Sequence, residues 1–317
     1  MHASLLTTLF FSLSVIFAAR SVRVLGPATA NLGRITVATL LLAAWAHSFG
    51  NGVSGAGFPW FFLSGIIGFG LGDMALFGAL PRIGPRLAIL LTQCLAAPIA
   101  AVTERVWLGT ILRPVDVGWA ALTLAGVAVA LAPDRGLQVE RRVFWIGALF
   151  GVGSALGQAL GAVISRKAQE VSQLAGVEVD GGTAAYQRIL GGVLITAAAF
   201  VLLRQWRPRP GEGTPAHWRR GWPIVALNAL AGPTIGVSCY QWALRTTPSG
   251  IVLPIVATSP ILTMLLVWGL EKERPTRRAV VGGMIAVAGA IGLKLAQTQA
   301  QERAGEVPSV RHQVAAR

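Results

Sequence analysis

Charged side chains are scarce in this sequence. Asp, Glu, Lys and Arg make up 13% of its 317 residues, whereas a soluble domain carries about 25%. So little charge cannot cover a water-facing surface, which excludes an ordinary soluble globular protein. Hydrophobic residues account for 54% of the chain, and they form runs of about 20 residues, the length of a helix that crosses a bilayer. The sequence therefore predicts an integral, multi-pass protein of the lipid bilayer.

Acidic residues are scarcer than basic ones, with 13 Asp and Glu against 27 Lys and Arg, and the formal net charge is +14. In a soluble protein such an excess would suggest a nucleic-acid partner. Here the arginines flank apolar runs, where they anchor loops at lipid headgroups. The sequence also offers no basic face with aromatic rings for stacking. No nucleic-acid partner is therefore expected.

The residue types that carry catalysis and metal binding are also few. Both cysteines, Cys94 and Cys239, lie inside apolar runs, which argues against a disulfide framework and against a metal site. The four histidines are scattered, and the sequence contains no HExxH motif, no paired-aspartate motif and no phosphate-binding P-loop. It therefore predicts no enzyme, no catalytic residue, no metal and no cofactor.

Ten apolar runs are long enough to form transmembrane helices, and the predicted fold class is all-α. Most links between the runs are short and contain Gly, Pro or Arg, as expected between antiparallel neighbours. The predicted spans are residues 4–20, 27–47, 58–80, 86–108, 115–133, 143–165, 183–203, 222–244, 248–270 and 276–296.

An internal repeat relates the first five spans to the last five. The segment GLGDMALFGAL at 70–80 aligns with TIGVSCYQWAL at 234–244, and VWLGTILRP at 106–114 aligns with VWGLEKERP at 267–275. Because five is an odd number, the second copy would cross the membrane inverted relative to the first. Inverted repeats are the architecture of many secondary transporters.

The predicted domain organisation follows from this repeat. The second copy carries extra residues near 166–182, which we expect to form a longer link. The predicted units are a first five-helix repeat at 1–133, a linker at 134–142, a second five-helix repeat at 143–296 and a polar tail at 297–317.

Motifs in the later spans of each half carry a resemblance to a known family. The first half contains RIGPRLAILL at 82–91 and LTLAGVAVALA at 122–132, and the second contains ATSPILTMLLVWGLEKE at 257–273 and VVGGMIAVAGAIGL at 280–293. With ten spans in two repeats, nearly the whole chain resembles the EamA-type transporters of the drug/metabolite transporter (DMT) superfamily. The resemblance implies two inverted five-helix repeats and a transporter of metabolites or drugs, most often an exporter. The motifs are loose and do not specify a substrate.

Asp73 is a carboxylate in the middle of an apolar span. An ionised Asp there costs about 2.5–3.5 kcal/mol on insertion scales, so it should face a cavity or a partner. One hypothesis is a site for substrate binding or proton coupling on the transport path. The other is a hydrogen-bonded Asp that ties span three to a neighbouring helix, where Gly70 and Gly72 permit a close approach. Glu104 is the second coupling candidate, with an interfacial ion pair near Arg105 as its alternative.

Arg34 and Arg188 occupy equivalent places in the two repeats, each about two turns inside a span. Their long side chains could reach the headgroups, as arginines near helix ends often do. Alternatively, the planar guanidinium groups could recognise a carboxylate or phosphate of the substrate, for which their geometry is suited. Both residues are therefore candidates for substrate binding.

Other polar residues of the spans either join helices by hydrogen bonds or line a hydrated cavity. Prolines free a backbone carbonyl and allow a bend, so the proline-containing spans four and nine are predicted as cavity walls. Glycine stripes in the last span of each half suit tight helix contact, within the molecule or at a homodimer face. The further cavity candidates are Gln93, Gln158, Gln241 and Thr258, and the candidate helix breaks are Pro98, Pro254 and Pro260.

These observations favour a secondary transporter that moves a small metabolite or drug-like solute by alternating access, with export preferred to uptake. The expected location is the cytoplasmic (inner) membrane. A lipid flippase and an intramembrane lipid-modifying enzyme are the alternatives. The enzyme would need clustered catalytic groups, which the sequence lacks.

Overall fold

The computed structural model of the chain describes residues 2–25, 27–132, 140–206, 215–271 and 276–306, and the regular structure in these ranges is helical throughout. Within these ranges ten segments are long and apolar enough to cross a membrane. This confirms the predicted all-α fold with ten spans. The helices are α1 (His2–Leu25), α2 (Pro27–Phe49), α3 (Phe58–Gly65), α4 (Asp73–Leu108), α5 (Pro114–Leu131), α6 (Arg141–Leu174), α7 (Gly181–Trp206), α8 (Pro215–Ala229), α9 (Val237–Thr246), α10 (Ser249–Val256), α11 (Ser259–Glu271) and α12 (Arg277–Glu306).

The spans form a bundle with two ends. Because consecutive spans run antiparallel, odd-numbered and even-numbered connections lie at opposite ends. We call the end with the start of α1 and the connections 50–57, 109–113 and 175–180 the terminal face. The end with the connection at 81–85 is the opposite face; there α4 is broken at Gly84, whose φ of 74° favours glycine.

The third span of each half contains a π-helical segment at the same place in the repeat. The first segment, Ile66–Gly72, joins α3 to α4, and the second, Leu230–Gly236, joins α8 to α9. Their last residues are the two glycines that the sequence alignment pairs. π-Helical turns are rare and frequently occur at functional sites. The two halves therefore share the backbone hydrogen-bond pattern of the third span as well as the number of spans.

Small side chains fill the centre of the bundle. Helices α4 and α6 pack through fully buried alanines, among them Ala96, Ala100, Ala155 and Ala159. Lipid tails are as apolar as a leucine side chain, so helices in a membrane associate mainly through close packing, which small residues allow. This packing joins the two halves directly, since α4 belongs to the first and α6 to the second.

The glycine stripes in the last span of each half pack against each other inside the molecule. A Cβ atom on Gly126 of α5 would lie 2.3 Å from the backbone nitrogen of Ala286 in α12. One on Gly282 would lie 2.4 Å from the backbone nitrogen of Ala130. Neither place has room for a side chain, so the stripes serve internal packing. The homodimer stays a prediction.

Helix α6 is longer than the sequence analysis predicted. The prediction ended the sixth span at residue 165 and assigned 166–182 to a link, but the helix continues to Leu174. One side of the polar stretch is buried. The buried residues are Ser165, Ala168, Gln169 and Ser172. Their spacing of three and four residues marks one face of a helix, which explains why this stretch does not form a loop.

The last helix also extends beyond its prediction. It reaches Glu306, so the first part of the predicted polar tail at 297–317 is helical. Residues 307–317 lie outside the described residues, and so does most of the predicted linker at 134–142. The division of the chain into these units stays a prediction.

Asp180 caps the N-terminus of α7 at the terminal face. Its Oδ1 accepts hydrogen bonds from the backbone nitrogens of Gly182 (2.8 Å) and Thr183 (3.1 Å) and from Nε1 of Trp45 in α2 (2.9 Å). Its Oδ2 accepts one from the Thr183 hydroxyl (2.5 Å). Partial burial alone would raise the pKa of Asp180, but these hydrogen bonds together outweigh it and hold the pKa below its usual value.

Asp180→Ala is expected to lower the free energy of unfolding by about 1 kcal/mol at neutral pH, the usual effect of removing an N-cap. Because folding lowers the pKa from its ordinary value of about 3.9, the ionised cap stabilises fully above that value. The stabilisation is lost as the pH falls through the lower pKa of the folded protein. Thermal unfolding in detergent at a series of pH values tests this, and a difference between variant and wild type that is unchanged in acid would contradict it.

Candidate functional site

A cavity of about 640 Å³ lies between the two halves. Both halves line the cavity. The first half contributes α1, α2, the first π-helical segment, α4 and α5. The second half contributes α6, α7, the second π-helical segment, α9, α10 and α11. Small-molecule pockets have volumes of about 300–1,000 Å³. At the opposite face the cavity ends at the exposed residues Pro85 and Thr276, so it is open there. None of the described connections of the terminal face lines it.

Glycines allow the first π-helical segment to form part of the cavity wall. Gly68 and Gly72 line the cavity, and Gly72 packs against Gly157 of α6. A Cβ atom on Gly157 would lie 2.5 Å from the Cα of Gly72. Only two glycines allow the backbones of the two halves to approach this closely, and the contact fixes Asp73, the next residue, at the cavity wall.

Arg34 and Asp73 lie next to each other on the cavity wall. Nη2 of Arg34 lies 4.0 Å from Oδ2 of Asp73, and it donates a hydrogen bond of 2.8 Å to Oδ1 of Asn31. The side chains are 19% and 33% exposed, so both are accessible from the cavity. This long ion pair joins α2 to the start of α4. At 4.0 Å it leaves both charged groups able to form further hydrogen bonds.

Arg188 is the most buried charged side chain of the cavity wall, with 6% exposure. Its Cζ lies 5.0 Å from the centre of the Phe69 ring and 5.6 Å from that of Tyr240. Its Nε is buried and has no hydrogen-bond partner, and within the described part of the chain no carboxylate forms an ion pair with it. The headgroup alternative is therefore wrong for Arg188, because its guanidinium ends inside the bundle.

Two amides predicted as cavity candidates meet across the halves. Nε2 of Gln158 in α6 donates a hydrogen bond of 3.1 Å to Oε1 of Gln93 in α4, and both residues line the cavity. Pro260 lines it as well, beside the interruption between α10 and α11. The structure thus brings Arg34, Asp73, Gln93, Gln158 and Arg188 to one cavity.

Other sequence candidates lie elsewhere. Gln241 is fully buried, and the hydroxyl of Thr258 donates to the backbone oxygen of Ile255, so neither lines the cavity. Pro98 is on the exposed side of α4, and Pro254 is buried within α10 without reaching the cavity. Span four does form a wall as predicted, but through a different face from the one that carries its proline.

Glu104 belongs to a buried network at the terminal face. Its Oε1 lies 2.5 Å from Nε of Arg166, a close ion pair without hydrogen-bond alignment, and its Oε2 accepts hydrogen bonds from the backbone nitrogen (2.8 Å) and hydroxyl of Ser249. Nη1 of Arg166 donates to the backbone oxygens of Leu244 and Thr247, each at 2.8 Å. The structure thus agrees with the ion-pair alternative for Glu104, but the partner is Arg166 and not the adjacent Arg105, and the carboxylate is only 1% exposed. The residue also does not line the cavity.

Two residues of these sites, Phe69 and Arg166, were not among the residues predicted from the sequence. Phe69 lies four residues before Asp73, one helical turn away, and this spacing could have placed both on one wall. Arg166 fell in the stretch assigned to a link. The three- and four-residue spacing of small residues after Ser165 was the available signal that the helix continues.

Comparisons with known proteins agree with this architecture. The model of the EamA-like transporter family matches residues 2–132 and 145–295. No curated protein matches the chain. A solved structure, described only as a crystal structure of a protein, superposes with a TM-score of 0.73 at 20% identity, over 94% of this chain and 96% of that one. At this identity the likeness shows the fold alone, whereas the family model covers nearly the whole chain. The chain therefore belongs to the EamA-like transporter family, whose members are membrane transporters.

Proposed function

We propose that the chain is a secondary transporter of the cytoplasmic membrane that exports a small solute by alternating access. The observation that carries the proposal is the cavity between the two inverted repeats, which reaches the connections of the opposite face and is not lined by the described connections of the terminal face. In inverted-repeat transporters the substrate binds near the middle of the membrane, and movement of one half against the other exposes it to each side in turn. The family does not favour the lipid alternatives.

Polar contacts that join the halves at the terminal face support alternating access. The network of Glu104 and Arg166 joins α4 of the first half to α6 of the second. Nε2 of Gln187 in α7 donates to the backbone oxygens of Gly52 (2.9 Å) and Ser54 (3.2 Å) in the first half. These contacts must break for the cavity to open at that face, while new contacts form at the other.

Transport by the purified full-length chain in proteoliposomes tests this proposal. A screen of metabolites by thermal unfolding identifies a solute that stabilises the protein, and saturable movement of that solute across the vesicle membrane is the expected result. Solutes that bind but do not cross the membrane would overturn the proposal.

Asp73 is proposed as the group that couples transport to protons. It lines the cavity and its side chain is 33% exposed, so water that enters from the opposite face can exchange protons with it. Asp73→Asn keeps the shape and removes the charge, and it is expected to abolish the dependence of transport on a pH gradient. Asp116→Asn is the matched control, since this Asp is buried beside Arg113 and does not line the cavity. Coupling that is unchanged in Asp73→Asn would eliminate the idea.

A further inference from the structure

Among the described residues Arg188 has no close ion pair of its own, because Asp73, the carboxylate whose charge attracts it, already lies beside Arg34. Arg34 faces Asp73, and Arg166 faces Glu104. Arg188 contacts two aromatic rings and leaves its Nε unpartnered at 6% exposure. A buried charge is stable only when it is paired and hydrogen-bonded. The cation–π contacts with the two aromatic rings offset only part of the cost of burying this charge.

We infer that Arg188 is the anion-binding subsite of the cavity, and that the transported solute is a small organic anion with a carboxylate or phosphate group and an apolar body. The inference rests on the proposed function, because it assigns the chemistry of the solute in the same cavity. The cavity supplies one surplus positive charge, since its described charged side chains are Arg34, Arg188 and Asp73. An anion of charge −1 would neutralise the wall.

The guanidinium of Arg188 lies in a space that exists only because the neighbouring positions are glycines. A Cβ atom on Gly68 would lie 2.5 Å from Nη2, and one on Gly161 would lie 3.1 Å from it. Phe69 and Tyr240 contact the group as well, so it cannot fold back to the lipid. A guanidinium fixed in this way presents a planar set of donors, which suits the two oxygens of a carboxylate or phosphate.

The remainder of the cavity suits an apolar body. Its walls include Phe11, Val15, Ile89, Met264 and Val267. A purely inorganic anion would leave these surfaces in contact with water, whereas an organic anion would cover them. The arrangement, a few fixed polar groups among apolar side chains, is that of ordinary small-molecule sites.

The test measures ligand-induced thermal stabilisation of the purified chain in detergent. Four probes share one ring and differ in charge: benzoate, phenyl phosphate, benzamide and benzylamine. The two anions are expected to stabilise the wild type more than the neutral and cationic probes, and their ranking distinguishes a carboxylate solute from a phosphate one. In Arg188→Gln the anions should bind roughly 10- to 100-fold more weakly, as expected for the loss of charge-assisted hydrogen bonds.

The stability of the unliganded variants separates binding from structure. Removal of a buried charge that has no close ion pair of its own should raise the melting temperature of Arg188→Gln. A structural arginine would instead lower it and leave the response to benzoate unchanged, which would overturn the inference. Gly68→Ala keeps the charge but displaces the end of the side chain, so it should weaken benzoate binding even if Arg188→Gln does not fold. Equal binding of benzoate by Gly68→Ala and wild type would count against the subsite.

Failure of the inference is distinguishable from failure of the proposed function. If proteoliposomes move a neutral or cationic solute and Arg188→Gln moves it equally well, the transporter stands and the anion subsite falls. If benzoate binding depends on Arg188 while no solute crosses the membrane, the subsite stands and the transporter falls.

Discussion

Glu104→Gln is expected to lower the free energy of unfolding by about 3–5 kcal/mol, because it leaves the charge of Arg166 buried without a carboxylate. The two side chains are 2% and 20% exposed, so water screens the pair little. Gln could still accept a hydrogen bond from Ser249, so the expected loss comes from the missing charge. Thermal unfolding of the purified chain in detergent measures the change.

The neighbouring residue on α6 supplies a matched control. Lys167 lies 3.3 Å from Glu170 in a more exposed pair, and Lys167→Gln should change stability by less than about 1 kcal/mol. The double variant with Gln at 104 and 166 removes both charges, and it should be more stable than the sum of the single losses predicts. A loss in Glu104→Gln no larger than that of Lys167→Gln would contradict the role of the network.

Gly157→Ala is expected to lower the free energy of unfolding by about 1–3 kcal/mol, the usual range for overpacking. The added Cβ would lie 2.5 Å from Cα of Gly72 and 3.0 Å from the backbone oxygen of Ile67. Because these are backbone atoms, α6 and the first π-helical segment would have to separate. We also expect slower transport, since the same contact positions Asp73.

Gly153→Ala, one turn earlier on α6, is the control for this prediction. Its Cβ would meet only the side chain of Ala75, at an ordinary distance of 3.5 Å. Replacing glycine within a helix by alanine gains up to about 1 kcal/mol of helix propensity, so this variant should be neutral or slightly more stable. A similar loss in both variants would show that the close approach at residue 157 is not the cause.

The number of spans was predictable because it depends on local composition. In the membrane the backbone N–H and C=O groups of each apolar run must be hydrogen-bonded within the run, which requires a helix. Length and hydropathy therefore suffice to predict each span. The pairing of Gly72 with Gly236 was also readable from the sequence. The end of α6 was predicted wrongly, because hydropathy alone assigns polar residues to a loop. The residues that follow Ser165 nevertheless include good helix formers.

The wall of the cavity was less predictable than the spans. In an all-apolar span no face is marked as inward, so Gln158 and Gln241 looked equivalent although only the first lines the cavity. The direction of an arginine depends on tertiary packing; for Arg188 the space beside Gly68 and Gly161 decides it. The partner of Glu104 is distant in sequence, and only the contact of α4 with α6 brings Arg166 to it.

The π-helical segments determine how each half would respond to a change in length. A π-turn closes a hydrogen bond over one more residue than an α-turn, so deletion of one residue in Ile66–Gly72 would let the segment revert to an ordinary α-helix. Each residue of an α-helix turns the chain by about 100°. A deletion that the π-turn absorbs keeps the downstream helix in register, so Asp73 would stay on the wall that it shares with Arg34, whereas a deletion in a regular part of the span would turn the residues that follow by that angle. The π-helical segment is therefore the place where the third span can lose a residue without moving its carboxylate off the cavity wall.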